Sequence, residues 1–215
     1  PDINISDNEF EATEKGIRYR LTTIKSVGNS AISAIRKIRP IKSLEDMLER
    51  GTKKDLRKDT VENLIKAGVF DEEEPNRIKL LNKFYKIRKI KKEIPESMWS
   101  DRIKCTFEKE SLGMYLSKHP IEKYFFQNIT EFKNGSQAII GGEVVDVARI
   151  HDKNGNPMAF VTISNQYGTT KGVVFSYVWT NKKLNTQGIL QEGNLVMLKG
   201  ERSGNDILVE ECEKL

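Results

Sequence analysis

Residues 21–35 are Leu21-Thr22-Thr23-Ile24-Lys25-Ser26-Val27-Gly28-Asn29-Ser30-Ala31-Ile32-Ser33-Ala34-Ile35. The stretch has the pattern of a helix, a tight turn and a second helix, with one apolar side made of Ile24, Val27, Ala31 and Ile35. We expect Gly28 to let the backbone turn sharply and Asn29 or Ser30 to cap the second helix. Backbone N–H groups would then point outward at a helix N-terminus, an arrangement that binds phosphate without reading base sequence.

This stretch resembles a helix-hairpin-helix DNA-binding motif, whose usual hairpin is glycine, a hydrophobic residue and glycine. Ser26 stands here in place of the first glycine. The alternative is an ordinary helical turn with a C-terminal glycine. A second helical pair, residues 43–48 and 60–71, lacks the hairpin glycine and is expected to serve packing. The candidate phosphate-binding residues of the hairpin are Lys25, Ser26, Gly28, Asn29 and Ser30.

A basic segment follows, in which eight lysines and arginines and no acidic residue lie between Arg77 and Lys92. Leu80, Phe84 and Ile87 keep helical spacing, which predicts an amphipathic helix with a basic outer face. Such a face would bind DNA through counterion release, although charge runs are also common on solvated surfaces. The candidate DNA-binding residues of this helix are Lys86, Lys89 and Lys92.

The composition places the basic excess in the first part of the chain. The 215 residues carry a net charge of +5, from 36 Lys and Arg against 31 Asp and Glu. Residues 135–215 hold 8 basic and 9 acidic residues, which leaves 28 and 22 for the rest. The sequence has no apolar run that would span a membrane and no signal peptide, so we expect a cytoplasmic protein. Two cysteines and two histidines predict neither a disulfide scaffold nor a metal site.

From Ser136 onward, apolar β-branched residues alternate with polar ones and glycines punctuate the chain, which predicts short antiparallel strands. We expect a hairpin turn at 152–156 and a helix-capable stretch at 177–190. Three strands, a helix and two strands is the order of an OB-fold barrel, which commonly binds nucleic acid. The predicted strands are 139–150, 157–164, 171–175, 195–201 and 207–211.

On the second barrel strand, Ala159, Val161 and Ile163 form the apolar set, which leaves Phe160 facing outward. An outward aromatic ring is a candidate platform for base stacking; the alternative is that Phe160 packs under a loop or against the helical part. Six basic residues of the barrel are candidate phosphate contacts or ordinary surface: Arg149, His151, Lys153, Lys171, Lys199 and Arg202.

The sequence therefore predicts a multi-domain α plus β protein, with a helical helix-hairpin-helix domain followed by a five-stranded OB-fold β-barrel. We expect a tandem helix-hairpin-helix domain at 1–75, a basic helical connector at 76–133 and the OB-fold at 134–215. An acidic loop at 71–75 and Asn134-Gly135 mark the boundaries.

Several stretches, spread over essentially the whole chain, resemble the C-terminal region of the bacterial replicative DNA polymerase III alpha subunit. They occur in the same order as in that family. The most specific is Glu108-Lys109-Glu110-Ser111-Leu112-Gly113-Met114-Tyr115-Leu116-Ser117-Lys118-His119-Pro120, close to the "LGFYLSGHP" turn of that family. The other stretches are 1–4, 16–19, 24–28, 64–71 and 155–162.

The resemblance implies a helical domain that grips duplex DNA behind the polymerase active site and a barrel near the single-stranded template. It implies three kinds of partner, namely DNA, the remainder of the alpha subunit and replisome proteins, and no membrane. The catalytic aspartates of that family lie upstream of a segment like 1–4, and this chain has no Asp-x-Asp. We therefore expect no catalytic residue, no metal site and no cofactor here, with Mg²⁺ belonging to the absent palm, and no polymerase activity from this chain alone.

The resemblance also bears on the ends of the chain and on His119. We expect an excised piece or a separately encoded part of a split polymerase, with no clamp-loader-binding extension after the barrel. His119 is expected to close a helix and bond locally.

Two other functions remain open on the sequence. The first is a stand-alone repair or recombination accessory protein, although in ligases and branch-migration proteins the barrel precedes the hairpins, and ligases add zinc-binding cysteines. The second is an RNA-binding OB-fold protein with a helical docking platform.

Overall fold

The computed structural model describes residues 1–14 and 16–215. It divides into two compact units, Pro1–Ser117 and Lys118–Leu215. Residues 76–117 therefore group with the helical residues before them, and residues 118–136 group with the barrel. The predicted division into functional parts at 1–75, 76–133 and 134–215 stays a prediction.

The first unit contains five helices in its described residues, and a short hairpin of β1 (Glu11–Thr13) and β2 (Gly16–Arg18) precedes them. The sequence did not indicate this hairpin. The helices are α1 (Asn29–Lys37), α2 (Leu44–Arg50), α3 (Lys58–Lys66), α4 (Arg77–Ile87) and α5 (Asp101–Leu112).

The predicted apolar side of the hairpin segment forms part of one hydrophobic core. Ile24, Val27, Ala31 and Ile35 are all buried, together with apolar residues of α2, α3 and α4. The first predicted helix of the segment is only a single 3-10 turn, Leu21–Thr23. The Ile24 N–H donates to the Leu21 carbonyl at 3.1 Å, so the chain leaves the turn after three residues.

The second unit is a closed barrel of five strands in the order β3-β4-β5-β7-β6. β3 is long enough to pair with β4 through its second half and with β6 through its first half, which closes the barrel. The strands are β3 (Gln137–His151), β4 (Pro157–Asn165), β5 (Gly168–Val174), β6 (Leu195–Ser203) and β7 (Asp206–Lys214).

This strand order confirms the predicted OB-fold. The helix-capable stretch after β5 forms two four-residue helices, α6 (Ser176–Trp179) and α7 (Thr186–Ile189), rather than one. Ala159, Val161 and Ile163 are fully buried in the barrel core, as predicted. Within residues 1–14 and 16–215, no helix is long and apolar enough to cross a lipid bilayer.

Candidate nucleic-acid interface

The turn of the predicted hairpin is made by Ser26. Ser26 has the left-handed conformation, with φ of 64°, whereas Gly28 is extended, with φ of −91°. The prediction that Gly28 makes the sharp turn is wrong, because the turn falls on the position of the usual first glycine. Two hydrogen bonds of 2.8 Å hold the turn. The Thr60 hydroxyl donates to the Ser26 carbonyl, and the Lys25 N–H donates to the Ser111 carbonyl.

Gly28 lies directly before α1, where it is the N-cap and offers no side chain to the helix. The predicted capping by Asn29 or Ser30 is therefore wrong, since both are the first exposed residues of the helix itself. A Cβ added at Gly28 would meet no atom within 4 Å. The first N–H groups of a helix have no intrahelical acceptor, so this exposed start can accept an anion.

Lys25 and Ser26 lie on a different side of the turn. Both line a cavity of about 350 Å³ that also carries acidic residues. Lys66 also lines this cavity, so acidic and basic side chains are mixed in it. The acidic residues of the cavity are Asp59, Glu62 and Glu110.

We expect Ser26→Gly to stabilise the first unit by about 0.5–1 kcal/mol. A left-handed residue with a Cβ costs about 1–2 kcal/mol, and the extra freedom that glycine gives the unfolded chain offsets part of the gain. Urea unfolding followed by helical circular dichroism measures the change. Ser33→Gly, the same replacement on the exposed face of α1, should instead destabilise the unit. If both variants change the free energy of unfolding in the same direction, Ser26 is not strained.

The predicted basic helix ends earlier than the charge run. α4 stops at Ile87, and Lys89 has φ of 56°. The Ile90 N–H donates to the Tyr85 carbonyl at 2.8 Å and the Lys89 N–H to the Lys86 carbonyl at 3.2 Å, the two bonds of a Schellman motif. The prediction of a helix to Lys92 is therefore wrong, and Ile87, predicted to lie beneath the basic face, is exposed.

Lys86, Lys89 and Lys92 are all exposed. Lys86 and Lys92 line one cavity of about 450 Å³, and Lys89 is not part of its lining. The Lys92 ammonium lies 5.3 Å from the centre of the Tyr85 ring. Burial raises the pKa of Tyr85, so this contact is a cation–π contact with a neutral phenol.

Other basic residues of the run are committed to protein contacts. Lys79 pairs with Glu74 at 3.5 Å, and Lys83 pairs with Glu45 and, at 3.4 Å, with Glu73. Free positive charge on this segment is therefore concentrated at its end rather than along the whole helix.

Arg77, the first residue of the run, is buried. It is 3% exposed, and its guanidinium donates two parallel hydrogen bonds to Asp71, at 2.8 and 2.7 Å. Its Nη2 also lies 3.4 Å from Oε1 of Glu108, which is 1% exposed. Gly68 packs against this group with φ of 81°, and an added Cβ would collide with the guanidinium.

Glu108 explains the most specific stretch of the sequence. Its Oε2 accepts hydrogen bonds from the N–H groups of Leu116 and Ser117, at 2.8 and 3.0 Å, and from the Ser117 hydroxyl at 3.1 Å. The stretch from Glu108 to Ser117 is thus a helix followed by a loop folded back on its own buried carboxylate. His119 bonds locally, as predicted, but it begins a turn: its Nδ1 accepts from the Ile121 N–H at 3.3 Å.

On the barrel, Phe160 is half-buried and opposes Ala148 on β3 and Val173 on β5. Its neighbours on the strand, Ala159 and Val161, point into the core, so the Phe160 ring lies on the outer face. The Lys171 ammonium lies 5.4 Å from the centre of this ring. Phe160 and Lys171 are therefore brought together, as an aromatic and basic pair.

The predicted residues Arg149, His151 and Lys153 are exposed at the β3–β4 hairpin. The turn is held by Asp152, whose Oδ1 accepts the N–H groups of Asn154 and Asn156, each at 2.8 Å. The Asn156 side-chain amide and its N–H hold the pKa of Asp152 below its ordinary value.

The remaining two candidates of the barrel are engaged with the protein. Lys199 forms an ion pair with Glu211 at 3.2 Å. The Arg202 guanidinium donates to three carbonyls, those of Gly204 at 2.7 Å, Thr130 at 3.1 Å and Phe132. Arg202 therefore fastens the segment before β3 to the end of β6.

Comparison with known proteins identifies the helical part. A family model described as a helix-hairpin-helix motif matches residues 1–80. With the barrel topology, this confirms the predicted fold class, a helical helix-hairpin-helix domain followed by an OB-fold.

Curated relatives match between 57% and 94% of the chain. DNA polymerase III subunit alpha of Aquifex aeolicus is 30% identical over 223 residues, covering 93% of this chain and 19% of that protein. The protein of the same name from Chlamydia trachomatis is 37% identical over 155 residues, covering 57% and 12%. That of Bacillus subtilis is 28% identical, covering 94% and 21%. The chain spans about a fifth or less of the length of these relatives.

Solved structures match about two fifths of the chain at low similarity. A domain of replication protein A from Methanococcus maripaludis has a TM-score of 0.34 and 13% identity, covering 41% of this chain and 93% of that one. A mitochondrial single-stranded DNA-binding protein of S. cerevisiae has a TM-score of 0.29 and 11% identity, covering 39% and 97%.

Proposed function

Because the chain matches the C-terminal region of the DNA polymerase III alpha subunits, we propose that it is a DNA-binding module of such a polymerase. The first unit grips duplex DNA through the start of α1, and the barrel holds single-stranded template. Polymerisation and its Mg²⁺ belong to the rest of the alpha subunit, since this chain has no Asp-x-Asp. We propose a cytoplasmic protein whose partners are DNA, that remainder and other replisome proteins.

One observation carries the duplex-binding part of the proposal, namely the exposed start of α1 within the matched helix-hairpin-helix motif. Gly28, Asn29 and Ser30 are exposed, and the space beside Gly28 is open. A phosphate oxygen can therefore approach the main-chain N–H groups without meeting a side chain. Contacts of this kind fix the protein on the duplex and carry no base preference.

The charge distribution supports the same division of roles. The basic excess lies in the helical part, and Lys86, Lys89 and Lys92 extend its exposed positive surface. The barrel is nearly neutral, and its outer face offers the Phe160 ring with Lys171. Stacking on an aromatic ring suits unpaired bases, because every base presents a π-face.

We expect Gly28→Val to weaken duplex binding by about tenfold or more, equally for duplexes of different sequence. Valine adopts the extended backbone of Gly28 and meets no neighbour, so the variant should fold, yet its side chain fills the space a phosphate needs. Fluorescence anisotropy with two labelled duplexes at low salt measures the effect. Ser33→Val, on the exposed face of the same helix, is the control and should bind as wild type. Unaltered duplex affinity in a folded Gly28→Val protein contradicts the phosphate contact.

A further inference from the structure

A second aromatic site lies on the barrel, beyond the residues that the sequence singled out. Phe175 directly follows β5 and Tyr177 lies in α6, and their rings are nearly parallel, at 11°, with centres 6.3 Å apart. Tyr177 is 67% exposed and Phe175 is 37% exposed. Both side chains are thus exposed, although neighbouring Val174 and Val178 are buried.

The stretch of sequence that contains this pair differs in charge from the rest of the barrel. From Lys171 to Gln191 the sequence has three lysines and no acidic residue, although acidic residues slightly outnumber basic ones over the barrel as a whole. Lys182 and Lys183 are exposed, and within the described ranges neither forms an ion pair. Glu192 directly follows this stretch, Asp146 on β3 opposes Thr162, and Glu201, Glu210 and Glu213 lie on β6 and β7. This segment therefore favours a polyanion.

The strand register relates the pair to Phe160. Phe160 opposes Val173, and the backbone of Phe175 is still extended, so Lys171, Val173 and Phe175 share the outer side of β5. Diagonal neighbours across two strands are about 7–8 Å apart. Phe160 and Phe175 therefore occupy the same face of the barrel at neighbouring positions.

We propose that Phe175 and Tyr177 form a second stacking platform for the single-stranded nucleic acid that Phe160 binds, with its phosphates held by Lys182 and Lys183. The proposal rests on the single-strand role proposed above and extends it along the β4–β5 face to α6. A single-stranded nucleic acid that runs from Lys171 past Phe160 to Tyr177 stacks its bases at two places.

The test uses the full chain and a labelled oligo(dT) of about 16 nucleotides, the upper end of the range for one OB-fold. We expect Tyr177→Ala to weaken binding by about tenfold, the usual loss of one stacked base, and Phe160→Ala to do the same. Tyr167→Ala is the matched control, because Tyr167 is 50% exposed but lies at the opposite end of β5. It should bind as wild type.

A second readout separates stacking from a structural role. Tyr177→Trp should keep the affinity, and the fluorescence of the introduced indole should be quenched when oligo(dT) binds. Lys182→Gln with Lys183→Gln should lower the log–log salt slope by up to about 1.4, at about 0.7 per contact on a single strand.

The outcomes distinguish the two proposals. If Phe160→Ala weakens binding and Tyr177→Ala does not, or the indole is not quenched, the second platform is wrong and the single-strand role stands. If the wild-type chain does not bind oligo(dT) at low salt, both the single-strand role and the platform are wrong.

Discussion

Arg77→Met is expected to destabilise the helical unit by about 3–5 kcal/mol, the usual cost of removing one partner from a buried ion pair. Arg77 is 3% exposed and Glu108 is 1% exposed, so the replacement leaves the Glu108 carboxylate buried without its cation. Methionine keeps the unbranched aliphatic part of the side chain but not the guanidinium, so the loss comprises the charge, its hydrogen bonds and the packing of that group. Urea unfolding followed by helical circular dichroism measures the loss.

Two comparisons make the result specific. Lys86→Met removes a charge from the exposed face of the same helix and should change stability by no more than about 0.5 kcal/mol. Adding Glu108→Gln to Arg77→Met should recover part of the loss, because the neutral amide no longer needs a cation. A loss under 1 kcal/mol in Arg77→Met, or no recovery in the double variant, would show that the pair is not buried as described.

Neutralising Lys86, Lys89 and Lys92 together to glutamine is expected to lower the salt dependence of duplex binding by up to about 2.7 in log–log slope. Each phosphate contact on duplex DNA contributes about 0.9 through released counterions. All three lysines are exposed, and α4 keeps its core contacts through Leu80, Leu81 and Phe84, so the fold should persist. Titrations of one duplex at several salt concentrations give the slope.

The control for that experiment removes the same net charge from the barrel unit, by the same change at Lys133, Lys199 and Lys214. Its slope on duplex DNA should equal that of wild type. If Lys86, Lys89 and Lys92 are only solvated surface, both triple variants will show the wild-type slope, and the basic segment has no part in duplex binding.

The sequence predicted the barrel well because β-strand signals are local and alternate. Ala159, Val161 and Ile163 point inward with Phe160 outward between them, and the turn at 152–156 carries the residues that such turns require. The predicted boundaries of β4 and β6 begin at the observed residues. The pairing of β6 with β3 lies outside any local pattern and follows only from the strand order of the family of barrels.

The sequence misplaced the backbone at two left-handed positions that have no glycine. Ser26 makes the hairpin turn with φ of 64°, and Lys89 ends α4 with φ of 56°. Sequence patterns locate such positions by glycine, because other residues are strained there. The turn was therefore predicted at Gly28, and the helix was predicted to continue through the lysine-rich run to Lys92.

The burial of Arg77 could not be predicted from the residues near it in the sequence. As one of eight basic residues on a helix it looked like surface, yet Glu108, 31 residues away, is brought to it by the packing of α5. A charged residue of a run can be recognised as buried only when its long-range partner is known. The same carboxylate holds Leu116 and Ser117, which gives the stretch that most closely resembles its family a structural role.

The strand β3 has a consequence for the order in which the protein folds. Its first half pairs with β6, so residue 137 contacts residue 201 and the barrel cannot close before both have been made. Contacts between distant residues slow folding, because the intervening chain must be ordered before they form. On the ribosome the helical unit can fold as soon as it emerges. The outer edges of β3 and β5 remain unpaired until β6 and β7 have been synthesised. Between those two moments the nascent chain exposes strand edges that a chaperone, or a neighbouring nascent chain, can pair with.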